Sequence, residues 1–406
     1  MRAVLILWLW AWAGLSCGRE SAQQAVSQPG DTAWRTVVDM RGAAVQLPAK
    51  LERVVTVSDG LVETAMIHFG QTAALVGLGS SCVQRTFRYD FPGRSGEGYS
   101  YEDGMNPAAL LHPRLRELPL IASSGTALNY ESLASLAPQV LILRAGSCTL
   151  PSWEDEGTQK IVQKVEALGI PVVVLKAPPC YDSPTVEHIS EELGILGEIF
   201  DRAAEARQLA AYLEGISAMI QARTSGIPEH DKPRLLLLGL SPKARASGGA
   251  GNTKGLNTIE SYFIESIANA RNAYTGLGGR SSYLLLSTEQ IYALAPDVIV
   301  LPTASGYHPP AELYAAPYYQ SLQHLDAVKQ ERVYALPWTP CNCAKRLEYP
   351  LEALIIAKAA YPERFEDIRI YEWSLSFYQE LYRVDKAAAR QIRSAQWLDW
   401  MAATNF

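Results

Sequence analysis

Short apolar runs alternate with amphipathic helical segments along this chain, and the alternation occurs twice. Residues 54–57, 140–143 and 172–175 are Val- and Leu-rich and have the length of buried strands. Helical patterns at 61–69 and 159–168 lie between them. Strands that alternate with helices favour parallel sheets with helices packed on them. The pattern therefore predicts an α/β fold with a central, mainly parallel sheet.

A long helical stretch separates this first set of strands from a second set. From 183 to 223, apolar residues recur at three- and four-residue spacing, which is typical of one helical face. A new buried-type strand at 234–239 begins after Pro228 and Pro233. The order predicts two lobes joined by one long helix, with a hairpin at 37–47 opening the first lobe.

The two lobes carry a weak internal repeat. Residues 130–143 align with residues 288–301, and each segment contains an acidic residue, a short helical pattern, Ala-Pro and a buried strand. The acidic residues are Glu131 and Glu289.

The composition suits an exported protein with ample core. Of 406 residues, 48% are hydrophobic and 19% are charged, and the net charge is -6. At roughly 100–200 residues per domain, this length predicts two or three domains. The mild acidity argues against a nucleic-acid partner, which would favour a basic face. The glycine-rich segment 248–255 lacks the Gly-Lys-Ser/Thr of a phosphate-binding loop, and the six histidines are scattered, so no enzyme is predicted.

The first 32 residues predict export. Arg2 precedes an apolar run at 3–15, which is too short for a membrane span of roughly 20 residues. The run ends in small residues before Cys17 and resembles the lipobox of bacterial lipoproteins, although Gly14 replaces the usual Leu. The interpretation is a signal peptide at 1–16, lipidation of Cys17 and a flexible tether at 17–32. A plain secretory signal remains the alternative.

The other five cysteines follow strand-like runs, and segments after the carboxyl ends of parallel strands line the ligand crevice of such sheets. They are Cys82, Cys148, Cys180, Cys341 and Cys343. Thiolates select soft metals, and sets of four suit zinc, copper(I) or an iron–sulfur cluster. One hypothesis is therefore that these thiols ligate iron, an iron–sulfur cluster or another soft metal. Two disulfides with one remaining thiol, or buried inert cysteines, are the alternatives.

Basic and aromatic residues also follow the predicted strands. The candidates for the cleft are Arg85, Arg88, Tyr181, Arg245, His308, Trp338, Lys345 and Arg346. Arginine suits carboxylate or phosphate groups, and aromatic faces suit a planar macrocycle. As a set they predict an anionic ligand.

Several segments together resemble one known family. Residues 36–48 and 52–55 are similar to the opening hairpin and first strand of ABC-importer substrate-binding proteins in the branch for iron siderophores, haem, cobalamin and related metal complexes. Residues 327–334 and the closing helical segment at 377–385 extend the resemblance, as do the two repeat segments.

The resemblance implies two α/β lobes with the ligand in the cleft between them. It places the N-terminal lobe at 33–182, the connecting helix at 183–225, the C-terminal lobe at 226–370 and a helical extension at 371–406. It also implies a monomer that delivers its ligand to an ABC permease dimer with its ATPase. In this family one acidic residue on each lobe meets arginines of the permease, and by position these are Glu131 and Glu289. The alternative is that each merely favours a helix N-terminus.

The leading functional hypothesis is a membrane-anchored lipoprotein that captures an iron-bearing or other metal complex, with the cysteines as ligands. An alternative keeps this role for a siderophore, haem or corrinoid and places the cysteines in disulfides. A third, from another class, is an exported thiol redox or metal-storage protein. That one would favour Cys-x-x-Cys, and the chain has Cys-x-Cys at 341–343.

Overall fold

Two parallel four-stranded sheets form the centres of two lobes, as the sequence predicts. The computed structural model describes residues 33–278, 283–303, 306–342 and 344–406. The predicted signal peptide, the tether and Cys17 lie outside these residues, and so does Cys343.

The first lobe contains eight strands and four helices among the described residues. The strands are β1 (Trp34–Val38), β2 (Ala44–Pro48), β3 (Val54–Val57), β4 (Leu75–Leu78), β5 (Thr86–Pro92), β6 (Gly98–Met105), β7 (Val140–Ala145) and β8 (Val172–Lys176). The helices are α1 (Leu61–His68), α2 (Pro107–Leu111), α3 (Tyr130–Ser135) and α4 (Glu156–Ala167). The sheet has the order β4-β3-β7-β8, and all its pairs are parallel.

Two hairpins accompany this sheet. The predicted one is confirmed, since β1 pairs with β2 in antiparallel register. The second, β5 with β6, was not predicted, and it places Arg88 within a strand where the sequence analysis expected a loop.

The connection between the lobes is helical. It consists of α5 (Glu187–Ile199) and the 22-residue helix α6 (Ala203–Thr224). The chain turns between them at Asp201, whose φ is 56°. A Cβ on Gly197 would lie 2.5 Å from Cβ of Ala206, so glycine permits the close approach of the two helices.

The second lobe repeats the parallel arrangement. Its strands are β9 (Arg234–Leu237), β10 (Gly251–Thr253), β11 (Arg271–Asn272), β12 (Leu284–Leu286), β13 (Val298–Leu301) and β14 (Val333–Ala335). The order β11-β9-β13-β14 forms the main sheet, and β10 pairs with β12. Its helices are α7 (Pro242–Ala246), α8 (Ile259–Tyr262), α9 (Thr288–Leu294), α10 (Pro310–Ala315), α11 (Asp326–Lys329) and α12 (Tyr349–Ala360).

Three helices follow at the C-terminus. They are α13 (Ile370–Tyr382), α14 (Lys386–Ala395) and α15 (Trp400–Ala403). Among the described residues, no helix is both long and apolar enough to cross a bilayer.

One apolar core runs through both lobes. Side chains from the two parallel sheets, α6 and α12 belong to a single buried cluster, and every residue of α12 is buried. Because close-packed interiors transmit strain and resist deformation, this shared core favours a fixed relation between the lobes.

Candidate functional site

Segments of both lobes enclose a cavity of about 620 Å³. Two groups of side chains dominate its lining. The aromatic cluster consists of Phe87, Tyr89, Tyr283, Tyr307, Trp338 and Trp397. The cysteine cluster consists of Cys82, Cys148, Cys341 and the adjacent Asp59.

Strand order explains why the cysteine cluster forms. Cys82, Asp59 and Cys148 follow β4, β3 and β7, which are adjacent strands of the first sheet. The carboxyl ends of parallel strands meet at one edge of a sheet. Cys341 follows β14 of the second lobe and has a φ of 56°. One ligand atom each from Asp59, Cys148 and Cys341 lie within 4.8 Å of one another.

A disulfide links the two lobes at this point. It joins Cys82 to Cys341, which are 259 residues apart in sequence. Two of the five predicted thiols are therefore oxidised in this state.

Asp59 is the member of the cluster that the sequence analysis missed. The backbone N–H of Cys148 donates to its Oδ2 at 2.6 Å, and the Ser80 hydroxyl donates to its Oδ1 at 2.9 Å. Burial raises the pKa of the Asp59 carboxyl, and these two hydrogen bonds oppose the rise. The available signal was the Asp-Gly pair between a buried strand and a helix.

Cys180 lies apart from this cluster. It follows β8, the edge strand that is separated from β3 by β7, and it packs in the apolar core of the first lobe with 6% of its surface exposed. Burial raises the pKa of its thiol to about 11. Cys180 is not part of the cavity lining. Three of the predicted sulfurs converge there among the residues that the structure describes, which do not include Cys343.

The aromatic cluster draws on five segments that are distant in sequence, and Tyr283 and Tyr307 precede β12 and α10. Phe87 and Tyr89 lie on β5, Trp338 follows β14, and Trp397 follows α14. The rings of Trp338 and Trp397 stack with centroids 5.1 Å apart, and Phe87 meets Trp338 edge-on at 5.2 Å. A Cβ on Gly104 would lie 2.3 Å from the Trp397 ring, so glycine lets this ring lie against the hairpin.

Lys345 lines the cavity but is neutralised by buried carboxylates. Its Nζ lies 2.8 Å from Glu352 and 3.2 Å from Glu260. Burial lowers the pKa of Lys345, but the two carboxylates outweigh it and hold the pKa above its usual value. Lys345 is therefore a cation with its own counter-ions.

Two predicted arginines are also paired within the protein. Arg88 lies at the cavity and contacts Asp90 and Glu102, each at 2.8 Å. Arg245 lies 3.6 Å from Glu312 and does not line the cavity. Both arginines therefore have carboxylate partners within the protein, and the anionic ligand stays a prediction.

The remaining candidates lie outside the cavity lining. Arg85 is exposed, and the Tyr181 ring stacks on His188 with centroids 3.6 Å apart. His308 is buried, with Nδ1 2.9 Å from Glu312. Arg346 is buried, and its Nη1 donates to the backbone oxygen of Asp59 at 3.4 Å.

A buried ion pair that the sequence analysis missed connects the lobes beside the cavity. Arg144 of β7 contacts Glu192 of α5 through two bonds of 2.6 and 2.7 Å. The same guanidinium donates to the carbonyl oxygens of Lys345 at 2.7 Å and of Ala344 at 3.1 Å. It thus joins the first lobe, the helical connection and the segment after Cys341.

Glu131 and Glu289 occupy equivalent positions in the two lobes. Each is exposed in the first turn of a short helix, and Asn129 and Ser287 cap these helices. The pKa of Glu289 is lowered by hydrogen bonds from its own backbone N–H and from Ser287.

Comparison with known proteins identifies a family with this architecture. The family described as "periplasmic binding protein" matches residues 106–339, more than half of the chain. The chain belongs to this family. A search of curated proteins returned no match.

Solved periplasmic binding proteins share the fold. A periplasmic solute-binding protein from Veillonella parvula DSM 2008 has 21% identity and a TM-score of 0.67, over 92% of this chain and 100% of the other. The molybdate-bound protein MolA from Haemophilus influenzae has 18% identity and a TM-score of 0.64, over 86% and 98%. A periplasmic heme-binding protein from Pseudomonas aeruginosa has 21% identity and a TM-score of 0.51, over 77% and 93%. At these identities the likeness confirms the two-lobe fold of this periplasmic binding protein.

Proposed function

We propose that this protein is the receptor of an ABC importer and captures a metal complex that has an aromatic or other planar organic part. The observation that carries the proposal is the cavity between the lobes, with six aromatic side chains in its lining. Its volume of about 620 Å³ falls in the range of small-molecule pockets, roughly 300–1,000 Å³. Aromatic faces bind flat, apolar surfaces by offset stacking.

The charge of the lining favours such a complex over a small free anion. Among the described residues, the two cations of the lining, Arg88 and Lys345, already contact carboxylates. A free oxyanion would have to compete with these carboxylates. MolA was solved with molybdate, so the fold also accommodates an oxyanion. In the present cavity, however, both lining cations contact carboxylates.

The two clusters suggest how the cargo is oriented. The aromatic cluster would contact the organic part, and the metal would lie toward the cysteine cluster. Siderophores with aromatic rings, haem and corrinoids all meet this description, and we propose an iron-bearing complex first.

Membrane attachment and delivery complete the proposal. A lipid on Cys17, outside the described residues, would hold the protein at the outer face of the cell membrane. Glu131 and Glu289 would dock the two lobes on the permease dimer, which works with its ATPase. Exposed charges of this kind set encounter rate and register more than affinity.

The test is a binding titration with candidate cargos. Haemin, cobalamin, a ferric catecholate complex and molybdate are each added to the protein, and tryptophan fluorescence and equilibrium dialysis report binding. We expect one of the three metal complexes to bind with 1:1 stoichiometry and molybdate to leave the signal unchanged. Trp338→Leu should weaken that binding about 2- to 12-fold, the equivalent of a ring contact of about 0.5–1.5 kcal/mol.

Trp373→Leu is the matched control, because Trp373 stacks on Phe377 outside the cavity lining. Binding of molybdate alone, or equal losses in the two tryptophan variants, would contradict the proposed site.

A further inference from the structure

The cysteine cluster contains three sulfurs and one carboxylate at the junction of the lobes. We infer that reduction of the Cys82–Cys341 disulfide creates a site for a soft divalent cation of the zinc class, with Asp59, Cys82, Cys148 and Cys341 as its four donors. This inference does not rest on the proposed importer function, since it concerns the bare cation.

The donor atoms are close enough for one ion. A Zn–S bond of about 2.3 Å in a tetrahedral site places neighbouring sulfurs about 3.8 Å apart. One ligand atom each from Asp59, Cys148 and Cys341 already lie within 4.8 Å of one another. Cys82 is bonded to Cys341, so breaking that bond leaves a fourth donor beside Cys341. Contraction by about 1 Å would bring the first three donors to tetrahedral spacing.

The carboxylate is held in place by its surroundings. Asp59 is fully buried and accepts hydrogen bonds from the Ser80 hydroxyl and from the backbone N–H of Cys148. Outer hydrogen bonds of this kind orient metal ligands and raise affinity. Three of the four donors follow adjacent strands of one sheet, so the site is built on a rigid edge.

Two buried arginines lie close enough to such a site to act on its charge. Three thiolates and one carboxylate carry four negative charges, and a divalent cation leaves a net charge of about -2. Arg144 and Arg346 are both buried, and both act electrostatically on Asp59. The Nε and Nη2 atoms of Arg346 have no hydrogen-bond partner. Each arginine also faces a carboxylate, Arg144 that of Glu192 and Arg346 that of Glu348 at 3.6 Å, so the two cations would offset the charge of the site only in part.

The oxidised and cation-bound states exclude each other. A disulfide sulfur carries no thiolate charge, and the thiolate is the metal ligand. A dithiol can reduce the bond, because it supplies two electrons and two protons and itself becomes a disulfide. Cys82 and Cys341 then carry thiols, and cation binding releases the protons of the ligating thiols. The redox state of the compartment that surrounds the exported protein would thus determine whether the lobes carry a covalent link or a metal site.

The test uses the full chain and Zn²⁺ as the probe. The protein is reduced with a phosphine without oxygen, and Zn²⁺ is titrated in competition with a chromophoric chelator. We expect the reduced protein to bind one Zn²⁺ per chain and the oxidised protein to bind it at least about 100-fold more weakly. Co²⁺ should show thiolate charge-transfer absorption in the reduced protein only.

Variants identify the donors. Cys148→Ser and Asp59→Asn should each weaken Zn²⁺ binding about 100-fold, while Cys180→Ala, in the apolar core and outside the cavity lining, should leave it unchanged. Circular dichroism establishes whether each variant folds. If Asp59→Asn does not fold, the test uses Cys148→Ser alone.

Three results would overturn the inference. They are a reduced protein that binds no Zn²⁺, equal affinity in the oxidised and reduced states, and binding that survives Cys148→Ser but is lost in Cys343→Ser.

Discussion

Replacement of Arg144 by Met tests how the cavity is held together. The guanidinium of Arg144 pairs with Glu192 of the helical connection and donates to the carbonyl oxygens of Ala344 and Lys345. Both side chains of the ion pair have 0% of their surface exposed. The substitution therefore leaves a buried carboxylate without its counter-ion and two carbonyls without their donor.

The size of the effect follows from these contacts. Removing one partner of a buried ion pair costs about 3–5 kcal/mol. A buried acceptor that loses its donor costs about 1–3 kcal/mol, less where water or a local shift replaces the bond. We expect Arg144→Met to lower the free energy of unfolding by about 4–6 kcal/mol at neutral pH.

The pH dependence gives a second check with a definite sign. Burial raises the pKa of Glu192, although the charge and hydrogen bonds of Arg144 oppose the rise. Without Arg144 this pKa rises further, so the folded variant holds a proton that the unfolded chain releases at a lower pH. Stability is then lost as pH rises from the ordinary carboxyl pKa toward the folded one. The loss of unfolding free energy in Arg144→Met, relative to the wild type, should therefore be smaller near pH 5 than near pH 8.

Urea denaturation followed by tryptophan fluorescence measures these differences. The set comprises the wild type, Arg144→Met, Glu192→Met and the double variant. Because the double variant leaves no unpaired charge, it should be more stable than the sum of the single losses by about 2–3 kcal/mol. A loss below about 1 kcal/mol in Arg144→Met, or strict additivity in the double variant, would refute the reasoning.

Three further predictions concern other parts of the protein. Glu131→Ala and Glu289→Ala should together lower uptake through the permease and leave ligand affinity unchanged. The control is Glu156→Ala, which replaces an exposed first-turn glutamate of α4 and should affect neither quantity. A loss of ligand affinity in the first two variants would place Glu131 and Glu289 in the ligand site. Cys180 should resist iodoacetamide in the native protein near pH 8, where a thiol pKa of about 11 leaves only about 0.1% as thiolate, and mass spectrometry should find it labelled only after denaturation. Lys345→Met should lower the free energy of unfolding by about 3–5 kcal/mol because it strands two buried carboxylates, and an unchanged urea midpoint would contradict this.

Which cysteines line the cavity could be predicted from the sequence only in part, because strand order is a long-range property. Cys82 and Cys148 reach the same cavity because β4 and β7 both flank β3. Cys180 follows an equally convincing strand, but that strand lies at the edge of the sheet, and its cysteine packs in the core. No local pattern distinguishes β7 from β8.

The aromatic cluster shows a different limit. Alternation of Phe and Tyr in 86–92 and of Tyr in 98–105 carried a strand signal that the sequence analysis did not use. Trp397 gave no such signal, because its contact with the hairpin joins segments far apart in the sequence. Its Nε1 donates to the backbone oxygen of Glu102 in β6, 295 residues away. The ion pairs of the predicted cleft cations could not be predicted for the same reason. Lys345, for example, pairs with Glu260, which belongs to another segment of the second lobe.

The disulfide and several hydrogen bonds between the lobes all involve one short segment, residues 341–346. Cys341 is bonded to Cys82, the carbonyls of residues 344 and 345 accept from Arg144, and Arg346 donates to the backbone of Asp59. Because the hydrogen bonds do not depend on the disulfide, we expect its reduction to leave this segment against the first sheet. The donors of the cysteine cluster would then stay together in the reduced protein, which is the condition that a preformed cation site requires. The shared core through α6 and α12 acts in the same direction, since it resists separation of the lobes when the covalent link is absent.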